Sequence, residues 1–458
     1  MAELALALAA TVSVLAFGGV KVFYFLPAQL IILAAAFVQF WRYGWPSISR
    51  LTSTVLAILV AIPLLQVIPL PEGVLEILSP GRAKLALEFS AVGASLRLPP
   101  TVTLQSYEST AAFLRLLCYL MTFLLAYQSY KLGEGRGTLA RLLIGLGVIE
   151  ALYGLVQYLT GSPYVYTYAR TSGMIAATGT YVNYNHFAGL LEMVLPFLVA
   201  QLWLHPLHGS SQRHSASWRQ ILAGPQLANW MLRLGLFLVV FLALIFSQSR
   251  SGILAGIAGM FVSGLLAFPK GRKGIAFISG FAIVGLLFIY SAWIGLSPVL
   301  DRFENLSLPP GVEPSRTLMW KDTFSLIQDF PVLGSGLGTF PWVSLRYQTA
   351  PVTVRYEHAH NDYLEFAADI GIGAALVLFC SLWVLAIRVA RKSISLDRWS
   401  EKRLAAACAG SLIALLIHSL TDFNLQVPAN ALIFSWIAGT AASLASRPIS
   451  GSQVISHQ

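Results

Sequence analysis

Charge is what this chain has least of. Of its 458 residues, 30 are Lys or Arg and 20 are Asp or Glu, or 11% in all. A soluble globular domain carries roughly 25%. That shortfall excludes a soluble enzyme, a disordered chain and a nucleic-acid-binding module. Cysteine is almost missing as well. Cys118, Cys380 and Cys408 all fall within apolar stretches, so neither a disulfide framework nor a CxxC metal knuckle is available. Alternating apolar and polar ten-mers are absent, which excludes an outer-membrane barrel. No internal repeat is visible, which disfavours an inverted-repeat transporter. No Asp-x-Asp occurs, so a DxD-type metal motif is lacking.

What the chain has is apolar length: 56% of its residues are hydrophobic. A hydrocarbon core of about 30 Å needs about 20 such residues as a helix. Twelve stretches qualify: 3–19, 24–41, 51–71, 110–128, 138–160, 186–206, 229–248, 251–268, 274–295, 370–390, 403–421 and 429–446. The expectation is an all-α polytopic membrane protein, a single integral membrane domain over 1–458, with about 12 spans. The first stretch has no basic segment before it and reads as a signal anchor, not a cleaved signal peptide.

Basic residues set the orientation. One set of short loops holds Arg42, Arg50, Lys131, Arg136, Arg141, Arg213, Arg219, Lys270, Arg272, Lys273, Arg388, Arg391, Lys392, Arg398, Lys402 and Arg403; the opposite short loops hold only Lys21, Arg170 and Arg250. The net charge of +10 is therefore a topology signal. Both termini are expected in the cytoplasm, and the long loops 72–109 and 296–369 face outward. The segment 296–372 carries five Lys/Arg and nine Asp/Glu, so the outer loop is acidic.

Ionisable residues at membrane depth are expensive and are functional candidates. Arg115, Glu150 and Glu192 stand out; the alternative is that they pair with one another or with helix carbonyls to fix packing. The run leading into the sixth stretch offers Asn183, Asn185 and His186 beside aromatic rings, or else a helix cap in an interfacial aromatic belt. Ser247-Gln248-Ser249-Arg250-Ser251-Gly252 makes a hairpin between the seventh and eighth stretches. There a guanidinium suits bidentate phosphate recognition, with small serines allowing close approach; the alternative is a snorkelling arginine at a tight turn.

The long loop is richest. After Pro314, Ser315 can cap a helix whose apolar face is Leu318, Trp320, Phe324 and Ile327, with Arg316 and Trp320 on one side and an end near Pro331. Gly334-Ser335-Gly336-Leu337-Gly338 follows no strand and lacks a Lys-Ser/Thr ending, so it reads as a turn and not a nucleotide cradle. Glu357-His358-Ala359-His360-Asn361-Asp362 then leads into the tenth stretch. Two histidines two apart do not share a helix face, which argues against a simple metal site. A histidine among carboxylates at a membrane surface suits proton transfer, a satisfied structural histidine being the other reading. Arg250, Arg316, His360, Asn185 and Glu192 all fall on the outward side. A carrier would place its polar residues nearer the midplane. The site thus suggests chemistry on a lipid-borne anion.

At these residues the sequence resembles the O-antigen ligase family. Three matches carry the likeness. Thr178-Gly-Thr-Tyr-Val-Asn-Tyr-Asn-His-Phe-Ala-Gly189 looks like the family's Asn/His segment before a span. Arg250 and Leu254 fit an Arg-x3-Leu pattern, and His360 and Gly371 fit a His-x10-Gly pattern. The resemblance implies a GT-C-like glycosyltransferase with a long helical periplasmic loop, acting at the periplasmic face of the bacterial inner membrane. Its donor would be a glycan on undecaprenyl diphosphate. Its acceptor would be a hydroxyl of lipid A-core, of a second lipid-linked chain in a polymerase, or of protein Ser/Thr in the related oligosaccharyltransferases. The partners implied are this donor, a glycan-bearing lipid acceptor and membrane lipids; no cofactor is implied, and the reaction is expected to be metal-independent. Arg250 and Arg316 would steady the leaving diphosphate. His360 would be the base, its ring oriented by Glu357 or Asp362. His358, Asn361, Asn185, His186, Glu192, Gln248, Ser249 and Ser251 would line the substrate. The reading from another class is a flippase or exporter of a lipid-linked glycan, for which Glu150 near the midplane is the main support.

Overall fold

A computed structural model describes residues 1–91, 99–134, 137–170, 175–202, 225–267, 316–349 and 355–447. The expected span 274–295, residues 296–315 of the long loop and the Ser315 cap lie outside the described residues.

The fold is helical, as composition demands: lipid offers no partner to a backbone amide, so each span satisfies its own. Sixteen α-helices occur among the described residues, in this order: α1 Ala2–Leu15, α2 Val22–Tyr43, α3 Arg50–Val67, α4 Glu72–Leu78, α5 Pro80–Ala91, α6 Ser106–Lys131, α7 Thr138–Thr160, α8 Tyr184–Leu202, α9 Pro225–Phe246, α10 Arg250–Ala267, α11 Arg316–Asp329, α12 Phe340–Val343, α13 Asp362–Ile370, α14 Ile372–Ser395, α15 Trp399–His418 and α16 Pro428–Ala445. A two-residue hairpin, Tyr164–Val165 against Tyr168–Ala169, is the only sheet among them.

Eight of these helices are long and apolar enough to cross a membrane: α2, α3, α6, α7, α8, α9, α10 and α14. The chain is a multi-pass membrane protein. Three further expected spans form helices of another character. α1 has 14 residues, about 21 Å of rise, which is shorter than a membrane core. α15 begins with the charged residues Glu401, Lys402 and Arg403. α16 is buried on nearly every side, so its small Ala, Gly and Ser residues answer to helix contacts and not to lipid. Phe23, Phe37, Trp41, Leu51 and Leu376 on the long apolar helices are exposed, as expected of helices whose solvent is lipid.

α8 is the axis of the bundle, buried along almost its whole length. Pro196 inside it lacks an amide proton. Hydroxyls from neighbouring helices bond to carbonyls of this stretch: Ser411 donates to Met193 O at 2.6 Å and Ser263 to Pro196 O at 2.8 Å. α10 and α15 meet at glycines. A Cβ on Gly259 would lie 2.7 Å from Gly410 O and 2.8 Å from Ala414 Cβ.

The bundle has two unlike ends. At one, basic residues close the helix termini. Lys131 Nζ donates to Ser47 Oγ at 2.8 Å, Lys392 Nζ to Arg447 O at 2.9 Å, and Arg447 Nη1 to Glu401 Oε1 at 2.7 Å. At the other, the two long loops fold onto each other. Leu85 of α5 joins Met319, Leu326, Ile327, Phe330 and Phe340 in one apolar cluster. The Gly334–Gly338 turn is locked from both sides. Gln66 Oε1 accepts from Leu337 N at 2.9 Å, and Asp369 Oδ2 accepts from Gly338 N at 2.7 Å. Gly334, Gly336 and Gly338 have positive φ, and a Cβ on Gly334 would strike the Asp369 carbonyl. These amides serve the turn, as the sequence indicates.

Candidate active site

The site lies at the end with the long loops, where α8 and α10 begin, α15 ends and α13 starts. Each component is placed by local chemistry. Asn183 caps α8 by accepting from Asn185 N at 2.8 Å. Ser249 caps α10 by accepting from Gly252 N at 3.2 Å. Gln248, at φ +60, turns the chain between α9 and α10 and donates through Nε2 to Ile175 O at 2.8 Å. Arg250 is thereby the first residue of α10, and it is half-buried. Asn361 caps α13, accepting from Leu364 N at 3.1 Å while its Nδ2 donates to Leu420 O at 2.8 Å. These bonds of Gln248, Ser249 and Asn361 are architectural.

The centre is the turn between α15 and α16. Asp422 is fully buried there. Its Oδ2 is 3.4 Å from Arg316 Nη2, and its Oδ1 is 3.4 Å from His360 Nδ1. Arg316 Nη1 also donates to Thr421 O at 2.6 Å. A guanidinium has five N–H donors, and these contacts use two of them. Burial alone would raise the Asp422 carboxyl. The close approach of the His360 imidazole, with the charges of Arg316 and His418, outweighs it and holds Asp422 below the usual carboxylate range. His360 sits at φ +49, a left-handed conformation that is uncommon for a residue with a Cβ. Its carbonyl faces Trp320 Nε1 at 3.4 Å, so Arg316 and Trp320 reach the site from one side of α11, as their spacing requires.

Phe423 is the ring on which the imidazoles are arranged. His358 stacks on it at 4.0 Å between centroids, while His360 and His186 meet it edge-on, each at 4.8 Å. His358 Nδ1 is 2.7 Å from Glu365 Oε1. Here the expectation that Glu357 or Asp362 orients His360 needs correction. Glu357 is exposed. Asp362 is turned to the α15–α16 connection, where its Oδ2 accepts from Ser419 Oγ at 2.7 Å and from Leu425 N at 3.0 Å. Asp422 is the carboxylate beside His360. Burial, with Glu365 and Asp422 nearby, pushes the Asp362 carboxyl well above its ordinary value despite these two bonds.

The remaining candidates are placed as follows. Asn185 and His186 are buried at the start of α8, and His186 O accepts from Asn430 Nδ2 at 2.9 Å. Glu192 is buried deeper in α8 and faces His418 Nδ1 at 2.8 Å; His418 Nε2 in turn faces Ser251 Oγ at 3.1 Å. Glu150 accepts from Thr180 N at 2.8 Å and contacts Thr180 Oγ at 2.9 Å, which is a packing role. Among the described residues, no group of three His, Cys, Asp or Glu side chains is placed to hold a metal.

His418, Asp422 and Phe423 were not singled out in the sequence, although a signal was there. His418-Ser-Leu-Thr-Asp422 is a polar run between two apolar stretches, on the side already assigned to Arg250 and His360.

This is a polytopic membrane protein with an arginine–carboxylate–histidine site at one end. Residues 235–380 match the family model described as O-Antigen ligase. Over that stretch the chain is similar to O-antigen ligases, which supports a function of the ligase/polymerase type. Arg250, Arg316 and His360 lie inside the matched residues; Glu192, His418 and Asp422 lie outside them. Comparison with curated proteins gives no match.

Proposed function

We propose that the chain is an inverting O-antigen ligase-like glycosyltransferase. It moves a glycan from undecaprenyl diphosphate to an acceptor hydroxyl, such as one on lipid A-core. The observation that carries this reading is the Arg316–Asp422–His360 assembly beside the family match. Asp422 next to Nδ1 favours the tautomer with its proton there, which leaves Nε2 as the base. The contact is 3.4 Å and not aligned as a hydrogen bond; such geometry commonly tightens when substrate binds. His360 Nε2 takes the proton of the attacking hydroxyl. The acceptor oxygen bonds to C1 on the face opposite the leaving group, and the C1–O bond to the diphosphate breaks with its electron pair kept by the phosphate oxygen. Arg250 and the unspent donors of Arg316 stabilise that charge.

The basic end of the bundle supports a cytoplasmic assignment for it, and in this reading the site and the long loops face the periplasm from the inner membrane, with both termini inside. Glu150, the residue on which a carrier reading leans, is engaged with Thr180.

The test is a reconstituted assay with a defined lipid-linked glycan, offering lipid A-core, a second lipid-linked chain or a peptide. Transfer to lipid A-core and its loss in His360→Ala and Arg250→Ala are expected; transfer at wild-type rate by either variant refutes its role. Because the arginines carry the charge stabilisation, activity is expected to survive EDTA. A loss restored by a divalent ion would overturn the metal-free reading.

A further inference from the structure

Besides His358–Glu365, two carboxylate–imidazole pairs lie at this end of the molecule, and Asp422–His360 is the first. The second is Glu192–His418, and it points at a hydroxyl. His418 is the last residue of α15, and both it and Glu192 are wholly buried. Nδ1 is 2.8 Å from Glu192 Oε2, and Nε2 is 3.1 Å from Ser251 Oγ. Ser251 follows Arg250 in α10 and is half-buried, so the chain of contacts runs from a dry interior to the residue beside the phosphate-binding candidate. Packing holds it in register. A Cβ on Gly252 would lie 2.6 Å from Ala188 Cβ and 3.3 Å from His418 Cε1, so α10 is pressed against both α8 and the imidazole. Burying two ionisable groups at this depth is costly, and apolar residues would fill the space at less expense. Glu192 Oε1 has no hydrogen-bond partner, so the pair is not a saturated structural network.

Building on the glycosyl-transfer reading, we infer that Glu192, His418 and Ser251 form a proton relay to the leaving diphosphate, the acid arm opposite the His360 base. As C1 leaves the phosphate oxygen, the diphosphate gains a negative charge in a water-poor site. Ser251 gives its hydroxyl proton to a diphosphate oxygen and takes one from His418 Nε2. His418 ends neutral, with Nδ1–H still donated to Glu192. The acceptor's proton has meanwhile gone to His360 Nε2. One proton is therefore taken up and one released per transfer, and exchange with solvent resets both rings. Glu192 and His186 of α8, Arg316 of α11 and Asp422 after α15 are the charged and titratable groups that act on His418, and Arg250 adjoins Ser251. Ser251 is the group that touches substrate; His418 and Glu192 act through it.

The experiment uses the full chain reconstituted with a lipid-linked glycan donor, measuring kcat and KM over about pH 5 to 9. Wild type is expected to give a kcat profile that falls on the alkaline side as His418 loses its proton. Ser251→Ala and His418→Gln are expected to lower kcat tenfold or more, with both KM values within twofold. They should also lose the alkaline fall. Ser251→Thr keeps the hydroxyl and should recover most of the rate and the alkaline fall. Thermal melting checks folding, and the Ser251 variants carry the test if His418→Gln does not fold. Wild-type kcat in Ser251→Ala, or a lowered kcat whose alkaline fall is intact, overturns the relay while leaving the transferase reading in place. No transfer by wild type to any acceptor overturns both.

Discussion

Asp422→Asn removes one charge and almost no volume, which makes it the sharpest probe of the base. The carboxylate faces His360 Nδ1 and Arg316 Nη2, each at 3.4 Å. In the proposed reaction His360 becomes a cation on taking the acceptor's proton, and Asp422 would stabilise that cation in the transition state. Two unit charges 3.4 Å apart attract by about 5 kcal/mol at an effective dielectric of about 20. The His360 side chain is 27% exposed and that of Arg316 39%, so water screens part of this. About half, or roughly 2–3 kcal/mol, is a reasonable net, equal to about 30- to 150-fold in rate. The loss should fall on kcat, because the cation forms only after substrate is bound. A reconstituted transfer assay reads it directly, with thermal melting to confirm that the variant folds. A folded Asp422→Asn protein with kcat within threefold of wild type would show that Asp422 does not serve His360, and the base assignment would lose its support.

Four other outcomes follow from the structure. Asp362 has a raised pKa because it is buried; a raised acid is fully stabilising below its unfolded value of about 3.9 and loses stability as pH rises toward the folded value. Wild type should therefore show a melting temperature that declines above about pH 4, and Asp362→Asn should flatten that decline; equal slopes would refute the cause. Glu150→Gln keeps an acceptor for Thr180 N and offers an N–H to its hydroxyl, so transfer should stay within about twofold and stability within about 1 kcal/mol; a dead, well-folded variant would revive the carrier reading. Gly259→Ala forces α10 off α15 and should cost about 1–3 kcal/mol by thermal melting, as overpacking does, whereas an unchanged melt would mean the helices part freely. Gly334→Ala combines a positive φ of 70° with a clash against the Asp369 carbonyl and should lower expression of folded protein in a fluorescence size-exclusion assay; wild-type yield would contradict the locked turn.

Much of this was legible from residue pattern because lipid imposes simple rules. Apolar length marked the helices α2, α3, α6 to α10 and α14. The tight turn before Arg250 followed from two adjoining apolar runs, and α11 followed from Arg316, Leu318, Trp320 and Ile327 with a stop near Pro331. The partners of the candidates were not legible. His418 meets Glu192 from 226 positions away, and no local period encodes such a pairing. Asp362 looked like the orienting carboxylate because it is near His360 in sequence. The left-handed backbone at His360 and the Asn361 cap turn the chain so that Asp362 meets Ser419 while His360 meets Asp422. α1 is shorter than the stretch read from hydropathy, and α16 is enclosed by protein on nearly every side, which hydropathy does not reveal.

The turn between α15 and α16 has a consequence for anyone who would transplant this chemistry. The backbone amide of Asp362 bonds to both Ser419 O and Asp422 O, and the recognisable family stretch ends at residue 380. A chimera that exchanges only that stretch carries over both arginines and His360 but inherits its host's 418–423 turn. Unless that turn is exchanged with it, the graft brings Arg250, Arg316 and His360 without the carboxylate beside His360.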